Sequence, residues 1–173
     1  RRADGLVRDR LRWRDVGGMG CGGASNHKVV GAANAILAGY ALLSYAFDIL
    51  LAEAGKSARH LAAARTLSKA AGAEGMVAGQ SADLMYTGKN SDEDTRQLIY
   101  RNTTGRLMAA AGAMAADLTG KNHAEAEAFG LTLGELFQLT DDILDEIGES
   151  QKLGKTVGKD AAEDKLTAVK IYG

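Results

Sequence analysis

The chain has 173 residues, 46% hydrophobic and 25% charged, with a formal net charge of −1 at pH 7. This is the make-up of one globular domain with a sizeable core, not of a disordered or collagen-like chain. A single cysteine, Cys21, excludes an internal disulfide framework and a cysteine-built metal site, so a reducing cytoplasm is the expected compartment.

The absence of proline and the abundance of alanine point to long uninterrupted helices, because a helix interior carries proline at a cost of about 3 kcal/mol and alanine at the least cost. The expected fold class is all-α. Residues 1–28 carry seven Lys/Arg and three Asp, a charge of +4, which leaves −5 for the remainder. A basic arm suits nucleic acid or an acidic membrane. Its only aromatic is Trp13 and no helical or strand period accompanies the arginines, so no nucleic-acid partner is expected. The segment then turns Gly-rich without an apolar face, and no apolar core region follows the arginines. Residues 1–25 are therefore expected to be irregular, and not a signal peptide.

Residues 29–47, VVGAANAILAGYALLSYAF, form an uncharged run of membrane-spanning length. Asn34, Tyr40, Ser44 and Tyr45 dilute its hydropathy, and Asp48 and Glu53 continue the same pattern. The expectation is a central helix buried on nearly all sides, not an integral membrane span. Ser57 can cap a short amphipathic helix to Ala71, on which His60 is a surface or boundary residue. In the stretch from Glu74 to Tyr86, Gly75 and Gly79 lie four apart and allow a neighbouring helix to approach closely, while Gln80 and Asp83 share a face.

Ser91 with Asp92, Glu93 and Asp94 marks a helix start, acids being favoured in the first turn, and this helix is expected to run to about Leu118. Inside it, the stretch RNTTGR (101–106) sets two β-branched threonines and a glycine into an alanine-rich pattern, which predicts a local break or kink. Gly120 ends the helix. Asn122 caps the next one, with Glu125 at its third position as in a capping box.

The stretch from Phe137 to Asp160, FQLTDDILDEIGESQKLGKTVGKD, carries the chemistry. On a helix from Glu125 to Ile147, Asp141 and Asp145 stand one turn apart with Gln138 three residues earlier and Asp142 rotated beside them. Acids near a helix C-terminus oppose the macrodipole, each by about 0.3–1 kcal/mol, so a compensating cation is expected. Mg2+ is the hard cation that takes one or two carboxylates plus phosphate oxygens, and Lys155 and Lys159 are point charges for that phosphate. A last helical segment is expected to start near Asp160.

These residues resemble the trans-isoprenyl diphosphate synthases, or polyprenyl synthetases, over roughly residues 25–167. FQLTDDILD (137–145) is similar to the second aspartate-rich motif of that family, LGKTVGKD (153–160) to the loop after it, GMVAGQSADL (75–84) to its GMxxGQxxDL segment, and NHKVVGAANAILAGYALL (26–43) to its NHKVxGExxAILAGDALL helix. The resemblance implies an antiparallel helical bundle of the isoprenoid synthase type around an apolar cavity, spanning 26–173 and incomplete at both ends. It implies Mg2+ as cofactor, and an allylic diphosphate and isopentenyl diphosphate as substrates. Assembly is implied as a homodimer, or as a heterodimer with a homologue.

Carried over position by position, the resemblance places Asp141, Asp142 and Asp145 on the metal side, Asp141 as the direct ligand, with Asp83 near the metals. Gln80 and Gln138 line the mouth. Lys155 and Lys165 bind diphosphate, and Thr104 matches the threonine of a Lys-Thr-Gly whose lysine is here Thr103. The first aspartate-rich motif falls across residues 9–21, DRLRWRDVGGMGC, where Asp9 and Asp15 are candidate remnants, Arg10 replaces an acid and an arginine pair is absent. The Gly-Gly-Lys-x-Arg segment and the last helices of the family are missing, and Tyr40 stands where the family has Asp. Two readings follow: a Mg2+-dependent prenyltransferase, and a non-catalytic partner subunit of an active synthase.

Overall fold

The computed structural model describes residues 19–20, 23–148, 157–162 and 164–172. A two-residue antiparallel ladder, β1 (Met19–Gly20) with β2 (Gly23–Ala24), precedes nine helices among the described residues. These are α1 (Asn26–Val30), α2 (Ala32–Ala54), α3 (Ala58–Ala71), α4 (Met76–Tyr86), α5 (Glu93–Tyr100), α6 (Arg106–Thr119), α7 (His123–Ile147), α8 (Lys159–Ala162) and α9 (Ala168–Tyr172). The expected all-α class holds.

The expected kink at RNTTGR is a wide π-helical turn, Arg101–Gly105, that joins α5 to α6 without a loop. Thr103 bends its hydroxyl back to the Ile99 carbonyl at 2.8 Å, competing with the regular helical ladder. The helix ends follow local chemistry. Asp92 caps α5 by accepting the Thr95 N–H at 2.9 Å, Gly120 closes α6 in the left-handed conformation at φ 70°, and Asn122 caps α7 by accepting the Glu125 N–H. Ser57 precedes α3 as expected, but its hydroxyl pairs with His60 Nδ1 at 2.9 Å instead of capping a backbone N–H.

The core is built from small residues. Its buried apolar positions are mostly alanine, among them Ala63, Ala109, Ala110 and Ala113. This lets backbones meet where α6 and α7 run antiparallel. A Cβ at Gly112 would lie 2.8 Å from the Ala126 carbonyl oxygen, one at Gly130 2.5 Å from Ala109 Cα, and one at Gly134 2.5 Å from Gly105 Cα. Gly79 packs as closely on the π turn, its Cβ direction meeting Thr103 N at 2.5 Å, so the expected close approach at this glycine is met. Gly75 approaches the end of the preceding helix: a side chain there would run into the Ala70 carbonyl of α3.

Two expectations are corrected. Helix 29–47 is not continuous from Val29, since Gly31 at φ 82° separates α1 from α2. Nor is α2 buried on nearly all sides: only Ala35 and Gly39 are buried, and Leu37, Tyr40, Tyr45, Ile49 and Leu51 are exposed. Among the described residues α2 packs chiefly on α3, which leaves its other faces open. By length and composition it also satisfies the criteria for a membrane span. The face of α7 opposite its buried side is likewise apolar and exposed, through Phe129, Leu133, Leu136, Ile143 and Ile147.

Candidate active site

The close α6–α7 crossing fixes α7 in rotation and register, and the candidate site follows from it. One turn beyond Gly134, Gln138 meets the π turn, where the Thr104 hydroxyl donates to Gln138 Oε1 at 3.1 Å. One turn further, Gln138 Nε2 donates to Asp142 Oδ1 at 3.2 Å. The other oxygen of Asp142 accepts the Tyr100 hydroxyl and the Ala168 backbone N–H, the latter at 2.9 Å. Asp142 is 3% exposed and Tyr100 4%. Three stretches of chain, α5, α7 and α9, are thereby tied at one carboxylate, and the π turn joins them through Gln138.

Burial pushes the Asp142 carboxyl above its ordinary range, against the hydrogen bonds from Tyr100, Ala168 and Gln138 that favour the ionised form. Burial, and then the neighbouring Asp142, push the Tyr100 hydroxyl upward as well, so it stays protonated and donates. Arg96 lies over the Tyr100 ring, 4.4 Å from its centroid, as a cation–π contact. Arg96 is 5% exposed, and its guanidinium forks onto Glu93, with Nε to Oε2 at 2.6 Å.

That guanidinium holds the Glu93 carboxyl down at about 2. A carboxyl lowered in the folded state contributes stability above its unfolded value of 4.5 and loses it as pH falls toward 2. Glu93→Gln is therefore expected to cost about 2 kcal/mol at pH 7, a figure discounted for the partial exposure of the carboxylate. The gap to the parent should close on acidification through that window. Urea titrations at pH 7 and pH 3 check it, and a gap of equal size at both would refute the assignment.

Asp145, 6% exposed, accepts the Asp160 N–H on Oδ2 at 3.0 Å, and its own carbonyl accepts the Gly158 N–H at 2.9 Å. Of the three motif acids, then, Asp142 and Asp145 are turned inward and fasten the chain after the motif, while Asp141 is half-buried. Lys165, expected at diphosphate, directs its ammonium to Asp160 Oδ1 at 2.9 Å. Gln80 and Asp83 lie half-buried on α4, which itself packs on the π turn. Lys159 opens α8. Lys155, Asp9 and Asp15 lie outside the described residues. A groove of about 500 Å³ lies elsewhere, between α3, α6 and α7, lined by Arg65, Lys69, Arg106, Asp117, His123 and Glu127 among others. At 1.5 Å per residue, Glu127 is about 21 Å along α7 from Asp141, so the groove is separate from the carboxylates.

Tyr100 is the residue that sequence reasoning overlooked. It stands four positions before Thr104, as Gln138 stands four before Asp142, and the two pairs face each other in antiparallel rungs. That matched spacing was the available signal.

The polyprenyl synthetase family profile matches residues 21–173. The chain belongs to the polyprenyl synthetase family. Among curated relatives of this polyprenyl synthetase, the farnesyl diphosphate synthase of Geobacillus stearothermophilus is 39% identical over 168 residues, covering 94% of this chain and 57% of that protein. The heterodimeric geranylgeranyl pyrophosphate synthase large subunit 2 of Arabidopsis thaliana is 37% identical over 174 residues, covering 97% and 46%. Among solved structures, the Helicobacter pylori geranyltransferase complexed with magnesium and isoprenyl diphosphate superposes with a TM-score of 0.86 at 25% identity, over 99% of this chain and 59% of that one. The chain thus spans about half the length of the curated relatives it matches.

Proposed function

We propose that this polyprenyl synthetase chain contributes the second aspartate-rich side of a Mg2+-dependent prenyltransferase that condenses an allylic diphosphate with isopentenyl diphosphate. The observation that carries the reading is the state of the motif: Asp142 and Asp145 are buried and hydrogen-bonded in support of α7, and Asp141 stands beside them half-buried. Asp142 already accepts three hydrogen bonds. Among the described residues no three His, Cys, Asp or Glu side chains converge on a metal cage. Mg2+ needs only one or two protein carboxylates when a phosphate supplies the remaining oxygens, so the donor set fits a metal shared with substrate and held by Asp141, with Asp83 the second candidate.

When bound, Mg2+ supplies Lewis-acid charge to the diphosphate. The chain's own groups bind and orient. The Thr104–Gln138 pair fixes a polar edge beside Asp141, and Gln80 and Lys155 are further substrate contacts in this reading. Lys165 supports the site indirectly by securing Asp160, and Lys159 remains a candidate diphosphate contact. In the condensation the allylic carbon–oxygen bond breaks with its electrons leaving on diphosphate, the isopentenyl double bond attacks that carbon, and a proton is lost. In this reading residues 26–173 form the isoprenoid synthase-like unit and 1–25 a divergent segment, of which the family profile takes in residues 21–25. The single cysteine supports a cytoplasmic location.

The second reading, a non-catalytic partner subunit, is supported by the Arabidopsis relative whose name describes a heterodimeric enzyme. Incubation of the purified chain with Mg2+, geranyl diphosphate and isopentenyl diphosphate tests both. Prenyl products from the chain alone establish the first reading. No product alone, with an altered product distribution when an active homologue is added, establishes the second, and no effect in either arm rejects both.

A further inference from the structure

We propose that Tyr100 is a positioning residue for this site, acting through Asp142 to set the orientation of α7 where it presents Asp141; the proposal rests on the diphosphate-binding reading above. The Tyr100 hydroxyl and the Ala168 N–H converge on the same Asp142 oxygen, and the Ala168 N–H also reaches the Tyr100 oxygen at 3.0 Å. This closes a three-membered hydrogen-bonded ring among α5, α7 and α9. All three residues are at most 7% exposed, so water is poorly placed to replace a lost donor.

The π turn makes the ring reachable. It adds width to the helix between Tyr100 and Gly105, so that the backbone-to-backbone contact of Gly105 with Gly134 is followed directly by the polar rungs Thr104–Gln138 and Tyr100–Asp142. Small residues set the depth of the crossing and the polar rungs set its rotation. Asp141 is adjacent to Asp142 on α7, so any roll of α7 about its axis moves the Asp141 carboxylate sideways. Supporting groups of this kind typically change metal affinity by 10–100-fold when removed.

The test is Tyr100→Phe in the full chain, which deletes one hydroxyl and keeps the ring beneath Arg96. Isothermal calorimetry with inorganic pyrophosphate in Mg2+ is compared with the parent and with Ala113→Gly, a variant in the middle of α6 that lowers stability away from the ring. The expected result is an affinity about tenfold weaker for Tyr100→Phe, with Ala113→Gly binding like the parent even where its melting temperature is as low or lower. Asp142→Asn, which keeps an oxygen for Ala168, should weaken affinity similarly, and the double variant should be no weaker than either single one. Equal affinity in Tyr100→Phe and parent overturns the proposal alone, as does parallel weakening in Ala113→Gly. An absence of Mg2+-dependent pyrophosphate binding in the parent overturns the underlying reading, and the proposal with it.

Discussion

Gly134→Ala is expected to destabilise the protein by about 3 kcal/mol, at the upper end of the range for overpacking a close contact. The added methyl would stand 2.5 Å from Gly105 Cα and 3.0 Å from Gly105 N. Neither is the end of a flexible side chain, so a helix must move. Alanine's better helix propensity returns about 1 kcal/mol, too little to offset the clash. For a domain of this size the melting temperature should fall by roughly 6–12 °C. Gly55→Ala is the matched control, because its Cβ meets nothing within 4 Å and its φ of −69° suits any residue. That variant should melt at or slightly above the parent. Gly134→Ala melting like Gly55→Ala would show that α7 and the π turn do not cross this closely.

The consequence reaches the site because the crossing lies one turn before Gln138. A helix pushed outward at Gly134 carries Gln138 from Thr104 and Asp142 from Tyr100, so the same substitution should also reduce Mg2+-dependent pyrophosphate binding. Stability and function are coupled here through geometry. The glycines on α7, at 130 and 134, and their partners on α6 and the π turn, at Ala109 and Gly105, are the hinge of that coupling.

Much of this was legible in the residues. Helix starts at Asp92 and Asn122 and the stop at Gly120 follow from side-chain capping and from the conformational freedom of glycine, both local effects. The break at RNTTGR was legible for the same reason, though not its form: a π turn and a bend arise from the same poor helix formers, and only the facing α7 decides between them. The burial of α2 was misjudged because composition reports how apolar a helix is and not what lies against it. The roles of the three motif acids were not separable in sequence either. Helical spacing places Asp141, Asp142 and Asp145 within one small arc, and their division into one half-buried and two buried carboxylates depends on a tyrosine about forty residues upstream. It depends equally on an amide from the segment beyond the lysine loop.

Asp141→Ala should therefore reduce affinity for pyrophosphate in Mg2+ by at least about 100-fold, since loss of a direct ligand should match or exceed the largest effects of supporting residues. Its effect on stability should be small, because Asp141 is half-buried and is not among the buried acceptors that tie α7 to α5 and α9. Asp142→Ala should differ. It leaves the Tyr100 hydroxyl and the Gln138 amide without this acceptor and the Ala168 N–H with the Tyr100 oxygen alone, and buried donors deprived in this way cost about 3 kcal/mol in total once partial relaxation is allowed. The two neighbouring substitutions thus separate on two axes: Asp141→Ala melts near the parent and does not bind, whereas Asp142→Ala melts well below it. Thermal melts and calorimetry on both variants decide the assignment. Unchanged pyrophosphate affinity in Asp141→Ala removes the metal role from this motif, and an Asp142→Ala protein as stable as the parent removes the structural role from its neighbour.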